Sequence, residues 1–276
     1  MAEHARRAGA ARTLAYCYSY IGATEYLQGK FADSRASLER SAALYREINT
    51  PSGEAMALQR LGVVRTAVGE WDQALADLHR ALEIARGYIL QGHSLMRVYA
   101  TLARNRLEAA DFHAALGYAE QGLAIEERHG RCLICGALLY PATAMAYAKN
   151  GDVKAGRRFA QLACESATEC GSRFFFGLAT QATAMVEAMD GNWTEAFTAL
   201  DRAERSFAAI PHSYEVARTC LFRAYLHMQR HKPQDLAAAA RELGRAAPIF
   251  ARLGASASAT QAKSMLLQLR TQPKRS

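Results

Sequence analysis

The 276-residue chain has no apolar run of about 18 residues, so nothing in it reads as a membrane-spanning helix. Its opening stretch, MAEHARRAGAARTLAY, lacks the apolar core of a secretion signal, and a cytoplasmic location is the expectation. Proline is scarce, at 6 residues, and Trp occurs twice. The six cysteines, Cys17, Cys132, Cys135, Cys164, Cys170 and Cys220, sit within apolar stretches of helical character rather than in a disulfide framework. A concentrated basic arm is missing too. The formal charge of +8 comes from 34 basic and 26 acidic residues scattered along the chain, with only the pair Lys274-Arg275 at the tail. That balance favours acidic partners in general but predicts no direct nucleic-acid binding and no membrane association.

What remains is half hydrophobic and rich in Ala, Leu, Arg and Glu, which favours helix throughout. At this length the choice lies between two compact domains and one repeat array. Self-similarity decides for the array. Six turns carry an anchor residue, Phe31, Trp71, Phe112, Val153, Trp193 and Pro233, at spacings of 40, 41, 41, 40 and 40. Three residues beyond each anchor comes Ser34, Ala74, Ala115, Gly156, Ala196 or, exceptionally, Leu236; seven beyond come Leu38, Leu78, Ala119, Ala160, Leu200 and Ala240. Nine residues before each anchor stands Gly22, Gly62, Ala103, Ala144, Ala184 or Ala224. Offsets of three, four and seven share one helix face, so each repeat lays a stripe of small residues where a neighbouring helix can approach closely.

The second repeat, with Leu61-Gly62, Gly69, Trp71, Ala74, Leu78 and Ala81, resembles the tetratricopeptide family, and the likeness extends over about residues 10–255. The period is longer than the family's usual 34 residues, and the repeat-ending proline is mostly missing. In this it is similar to the helical-repeat segment of large LuxR-type, maltotriose-regulator-like transcription regulators, as is the closing stretch from Arg241 to Ala255. The resemblance implies an all-α fold, a right-handed α-α superhelix of about six helix pairs near 8–47, 53–88, 92–128, 132–170, 173–209 and 213–252. These pairs make a repeat array over 1–256, followed by a capping helix and short basic tail over 257–276. It further implies a non-catalytic domain that binds a protein or senses a ligand, plausible as the sensing part of a regulator, with a stand-alone scaffolding adaptor as the alternative.

Catalytic signals are weak. Gly87 to Ser94 has the spacing of a phosphate-binding loop, but His93 stands where that loop needs lysine and no strand precedes it. No Ser-His-Asp or Cys-His context occurs, so no enzyme and no cofactor is predicted. His129, Cys132 and Cys135, spaced by three, could share a face and hold a soft metal, although a single CxxC is half of a structural zinc site. The binding expectation is positional: residues 15, 12, 8 and 5 before each anchor should face the concave groove, which selects Gln59, Thr66, Arg97, Arg104, Gln181, Arg218 and Tyr225, with Tyr26 and Lys149 nearby. Arg97, Arg104, Lys149 and Arg218 along one wall would favour an anionic small molecule or an acidic peptide. Of Phe174, Phe175 and Phe176, which cannot all face one core, one is expected to reach the groove or a partner.

Overall fold

A computed structural model describes residues 2–88 and 91–271; Ile89 and Leu90 of the loop-like stretch and the basic pair Lys274-Arg275 lie outside the described residues. Among them are thirteen α-helices and no strand: α1 (Ala2–Leu27), α2 (Phe31–Glu47), α3 (Pro51–Val68), α4 (Trp71–Arg86), α5 (Gln91–Glu108), α6 (Phe112–His129), α7 (Leu133–Lys149), α8 (Val153–Glu169), α9 (Arg173–Met189), α10 (Trp193–Ala208), α11 (Ser213–Arg230), α12 (Asp235–Leu253) and α13 (Ser256–Thr271). Each odd-numbered helix up to α11 packs on the even-numbered one that follows, giving six pairs with α13 as a seventh layer. No helix among the described residues is long and apolar enough to cross a membrane.

Five of the six anchors open the second helix of a pair, and side-chain caps fix some of these starts. Asp111 accepts from the Ala114 amide at 3.1 Å, and Asp152 from the Ala155 amide at 2.8 Å. The sixth anchor differs. Pro233 stops short of α12 because Asp235 organises that turn, accepting from the Lys232 amide at 2.8 Å and from Arg230 Nε at 3.0 Å.

The small-residue stripe has a direct steric cause. A Cβ added at Gly62 would lie 2.7 Å from Leu78 Cγ, and one at Gly22 would lie 2.6 Å from Leu38 Cγ, so the leucine of the second helix occupies the space a larger residue would need. Both leucines are fully buried. We therefore expect Gly62→Val to destabilise the fold by about 1–3 kcal/mol in urea melts. A Leu78→Ala partner change should cost less in the Gly62→Val background than alone; strict additivity would refute this close approach.

The array does not end in open layers. Its last helices return to its first. Tyr214 of α11 meets Phe31 edge-on at 5.2 Å and Phe250 of α12 at 5.9 Å, while His212 lies 5.4 Å from Tyr26. The Ser256 hydroxyl donates to the Val68 carbonyl at 3.2 Å. Gly69 closes α3 with φ of 91°, which suits glycine, and a Cβ there would also lie 2.3 Å from Ala257 Cβ. One apolar cluster accordingly joins Leu58, Leu78 and Leu102 to Tyr214, Phe250 and Ala259. The concave groove expected from the sequence is thus bridged at one end by contacts between the last and first helices.

Candidate functional site

The odd-numbered helices line a concave space with two adjoining chambers. An outer one of about 900 Å³ lies among α1, α3 and the start of α5, and an inner one of about 270 Å³ reaches α7, α9 and α11. Gln59, Arg60 and Arg97 border both. The outer volume falls in the range of ligand pockets, about 300–1,000 Å³.

The outer chamber is basic and aromatic. Arg12, Arg60 and Arg97 line it together with Tyr16, Tyr20 and Tyr45, and among the described residues no Asp or Glu does. Arg60 is held by Ser19, donating to its hydroxyl at 2.6 Å and its carbonyl at 3.0 Å, and its guanidinium lies 4.5 Å from the Tyr20 ring centre. Tyr16 packs 4.5 Å from Tyr20, whose phenol is lowered below its usual pKa by the Tyr16 hydrogen bond and then by Arg60. Among the described residues, the Arg97 guanidinium has no ion pair and no hydrogen bond, and no carboxylate acts on it. Burial, and then the charge of Arg60, lower its pKa from the usual value. A partly buried cation beside a like charge, with no carboxylate, is an unfavourable arrangement that an anionic ligand would relieve.

The inner chamber supplies unpartnered polar atoms. Gln59 Nε2 donates to Thr101 Oγ1 at 2.7 Å, but the buried Gln59 Oε1 accepts from nothing. The buried Tyr26 hydroxyl also has no partner, and burial pushes its pKa up to about 12. Each such atom costs free energy unless a bound group completes it.

The nine groove positions separate into distinct roles. Gln59, Thr66, Arg97, Arg104 and Tyr26 line the inner chamber. Thr66 is tied into the helix layer, donating to the Gly62 carbonyl at 2.7 Å and accepting from Asn105 at 3.0 Å. Gln181 is buried and donates to Thr219 at 2.9 Å. Lys149 lies 5.0 Å from the Tyr225 ring centre and 5.2 Å from that of Phe112. Arg104 pairs with Glu215, and Arg218 pairs with Glu108 and, at 2.9 Å, with Glu215. Of the four-cation wall, Arg97 alone keeps an uncommitted guanidinium, because closure of the array brings carboxylates onto Arg104 and Arg218. Arg60, which the positional count passed over, is its neighbour. Phe174 and Phe175 reach the inner chamber, and Phe174 stacks on His212 at 5.4 Å.

The metal-ligand expectation needs one substitution. His129 ends α6 and turns toward Gly92, whose added Cβ would lie 2.8 Å from His129 Cβ. The imidazole beside the two thiols is that of His93 instead. Its Nδ1 lies 2.9 Å from Cys135 Sγ and 3.4 Å from Cys132 Sγ. His93 comes from the preceding repeat, 39 residues before Cys132, so the repeat period itself carried the signal.

Residues 53–128 match the tetratricopeptide repeat. A comparison with curated proteins finds no match. Among solved structures, the chain is similar to a Rap protein complexed with Competence and Sporulation Factor, with a TM-score of 0.63 and 18% identity over 93% of this chain and 74% of that one. It is similar to RapI in its apo form, with a TM-score of 0.53 and 15% identity over 93% and 74% of the two chains. A signal transduction ATPase with numerous domains and a tetratricopeptide repeat sensor, from Pyrococcus horikoshii, gives a TM-score of 0.57 and 14% identity over 91% of this chain and 37% of that larger one. The forty-residue repeat, the matched segment and these shared folds make the chain a tetratricopeptide-like helical-repeat solenoid, a fold suited to protein binding or ligand sensing.

Proposed function

We propose that the chain is a signal-sensing domain that takes an anionic small molecule or the acidic end of a short peptide into its concave cavity. The observation that carries this is the Arg60–Arg97 pair, two guanidiniums facing one chamber without a carboxylate. Arg97 would form a charge-assisted, bidentate pair with a carboxylate or phosphate. Tyr16 and Tyr20 would cover the ligand's body, and Gln59 and Tyr26 would engage a polar group that reaches the inner chamber. Two of the structural relatives are consistent with such a role, one complexed with a signalling factor and one a sensor within a multidomain ATPase. A place as the sensing part of a transcription regulator follows from the family resemblance and shares this cavity.

The test is calorimetry and thermal-shift screening against dicarboxylates, phosphorylated metabolites and short peptides with free carboxyl termini, alongside native mass spectrometry for a co-purified anion. For a ligand so found, Arg97→Ala should weaken binding by about 30-fold or more, corresponding to at least about 2 kcal/mol for losing one partner of a buried charged hydrogen bond. Melting temperature should not fall, since Arg97 makes no ion pair among the described residues. A scaffolding adaptor working through its outer helices would instead bind its partner equally well in the Arg97→Ala protein.

A further inference from the structure

Cys132 and Cys135 belong to no part of the cavity just described, yet they are the only pair of thiols at CxxC spacing in the chain. Cys132 is the N-cap of α7 and Cys135 lies in its first turn, so the spacing brings both sulfurs to one side of the helix start. α5 packs alongside α7, with Met96 and Ala100 in the same buried cluster as Cys135 and Leu139. That packing delivers His93, in the first turn of α5, to the two sulfurs.

We propose that His93, Cys132 and Cys135 form a binding site for a soft transition-metal ion, with zinc the expected occupant. All three ligand atoms lie within 4.8 Å of one another. Tetrahedral zinc, with bonds of about 2.3 Å to sulfur and about 2.0–2.1 Å to nitrogen, places nitrogen and sulfur about 3.6 Å apart. Nδ1 to Cys132 Sγ at 3.4 Å already meets that distance, and the 2.9 Å to Cys135 Sγ needs only a small outward movement of the exposed imidazole. Two thiolates and an imidazole select zinc or copper(I) over magnesium or calcium, which prefer oxygen. Two thiolates also neutralise a divalent ion.

Three protein ligands leave one coordination position, the pattern of zinc sites that accept an exchangeable group rather than of closed structural ones. His93 also borders the outer chamber, beside Ser94 and Arg97. The remaining position therefore belongs to water or to a donor atom on the chamber side.

The experiment uses the full chain, reduced with a non-chelating phosphine and stripped of metal, then titrated with cobalt(II) and afterwards zinc. One equivalent of cobalt should produce a thiolate-to-cobalt charge-transfer band in the near ultraviolet and the intense visible bands of tetrahedral coordination, both bleached by one equivalent of zinc. His93→Ala should lower affinity about 100-fold or more, beyond the 10–100-fold typical of losing an outer-shell partner. His93 is exposed, so this variant keeps its fold and remains decisive where the buried Cys135→Ser does not fold. His129→Ala and Cys170→Ser should bind as the parent does. Absence of the thiolate band in the reduced protein, binding unchanged in His93→Ala, or formation of a Cys132–Cys135 disulfide without any metal uptake when reduced would each overturn the site.

Discussion

Glu215→Ala should destabilise the chain by about 3–5 kcal/mol and separate its two ends, because it removes a buried carboxylate on which Arg104 and Arg218 converge. Glu215 is fully buried at the start of α11. Arg104, 111 residues earlier on α5, donates to one of its oxygens, and Arg218 donates to the other at 2.9 Å. Without Glu215 both guanidiniums would remain in the closed seam with Glu108 as their single counter-charge. The neighbouring contacts of Tyr26, Phe31, His212 and Tyr214 depend on the same approach of α11 to α1, α2 and α5. Urea melts would report the loss of stability, and small-angle scattering would report an increased radius of gyration. A variant with parental stability and dimensions would show that the seam is held without this ion cluster. The same geometry makes Arg104→Ala and Arg218→Ala destabilising changes, whereas Arg97→Ala is not.

Acidification should loosen the seam in two stages. His212 is buried among Tyr26, Phe174 and Phe207, and neither ring nitrogen has a hydrogen-bond partner. Burial lowers its pKa below the usual 6.5, against the pull of Glu215 and with the push of Arg104. The unfolded chain therefore takes up a proton first, and stability begins to fall as pH drops below 6.5. Glu215 follows. Burial pushes its carboxyl up, but Arg104 and then Arg218 overcome this and hold it at about 2, against an ordinary 4.5. A depressed carboxyl stabilises fully above its unfolded pKa, and the contribution, about 3 kcal/mol, is lost as pH falls from 4.5 toward 2. Chemical denaturation followed from pH 7.5 to 3 should show both stages, and His212→Phe should remove the first while keeping the second. A flat profile between 6.5 and 4.5 for the parent chain would contradict this role for His212.

The repeat was legible because sterics wrote it at fixed offsets: Gly22 and Gly62 had to be small where Leu38 and Leu78 enter, and a period of forty exposes such a constraint. Counting back from the anchors also placed Gln59 and Arg97 on the concave side, since helical phase is a local property. Which arginines would stay uncommitted was not legible. The carboxylate that engages Arg104 stands 111 residues away, and only closure of the array brings it near. His93 was overlooked for a related reason. Spacing along one segment favoured His129, whereas the packing of α5 on α7 brings a side chain from one repeat earlier. Arg60 fell outside the groove count, and its role depends on Ser19 and Tyr20 of α1 holding the guanidinium at the cavity.

A linear stack of helix pairs ordinarily frays from its termini, each unit answering only to its neighbours. The contacts of Ser256 with Val68 and of Ala257 with Gly69 tie the last layer to the second pair. The last layer is then no free place for unravelling to start. Amide exchange in α3 and α13 should slow together, and loss of the final helix should be felt 188 residues away in sequence, as in a hoop rather than a ladder.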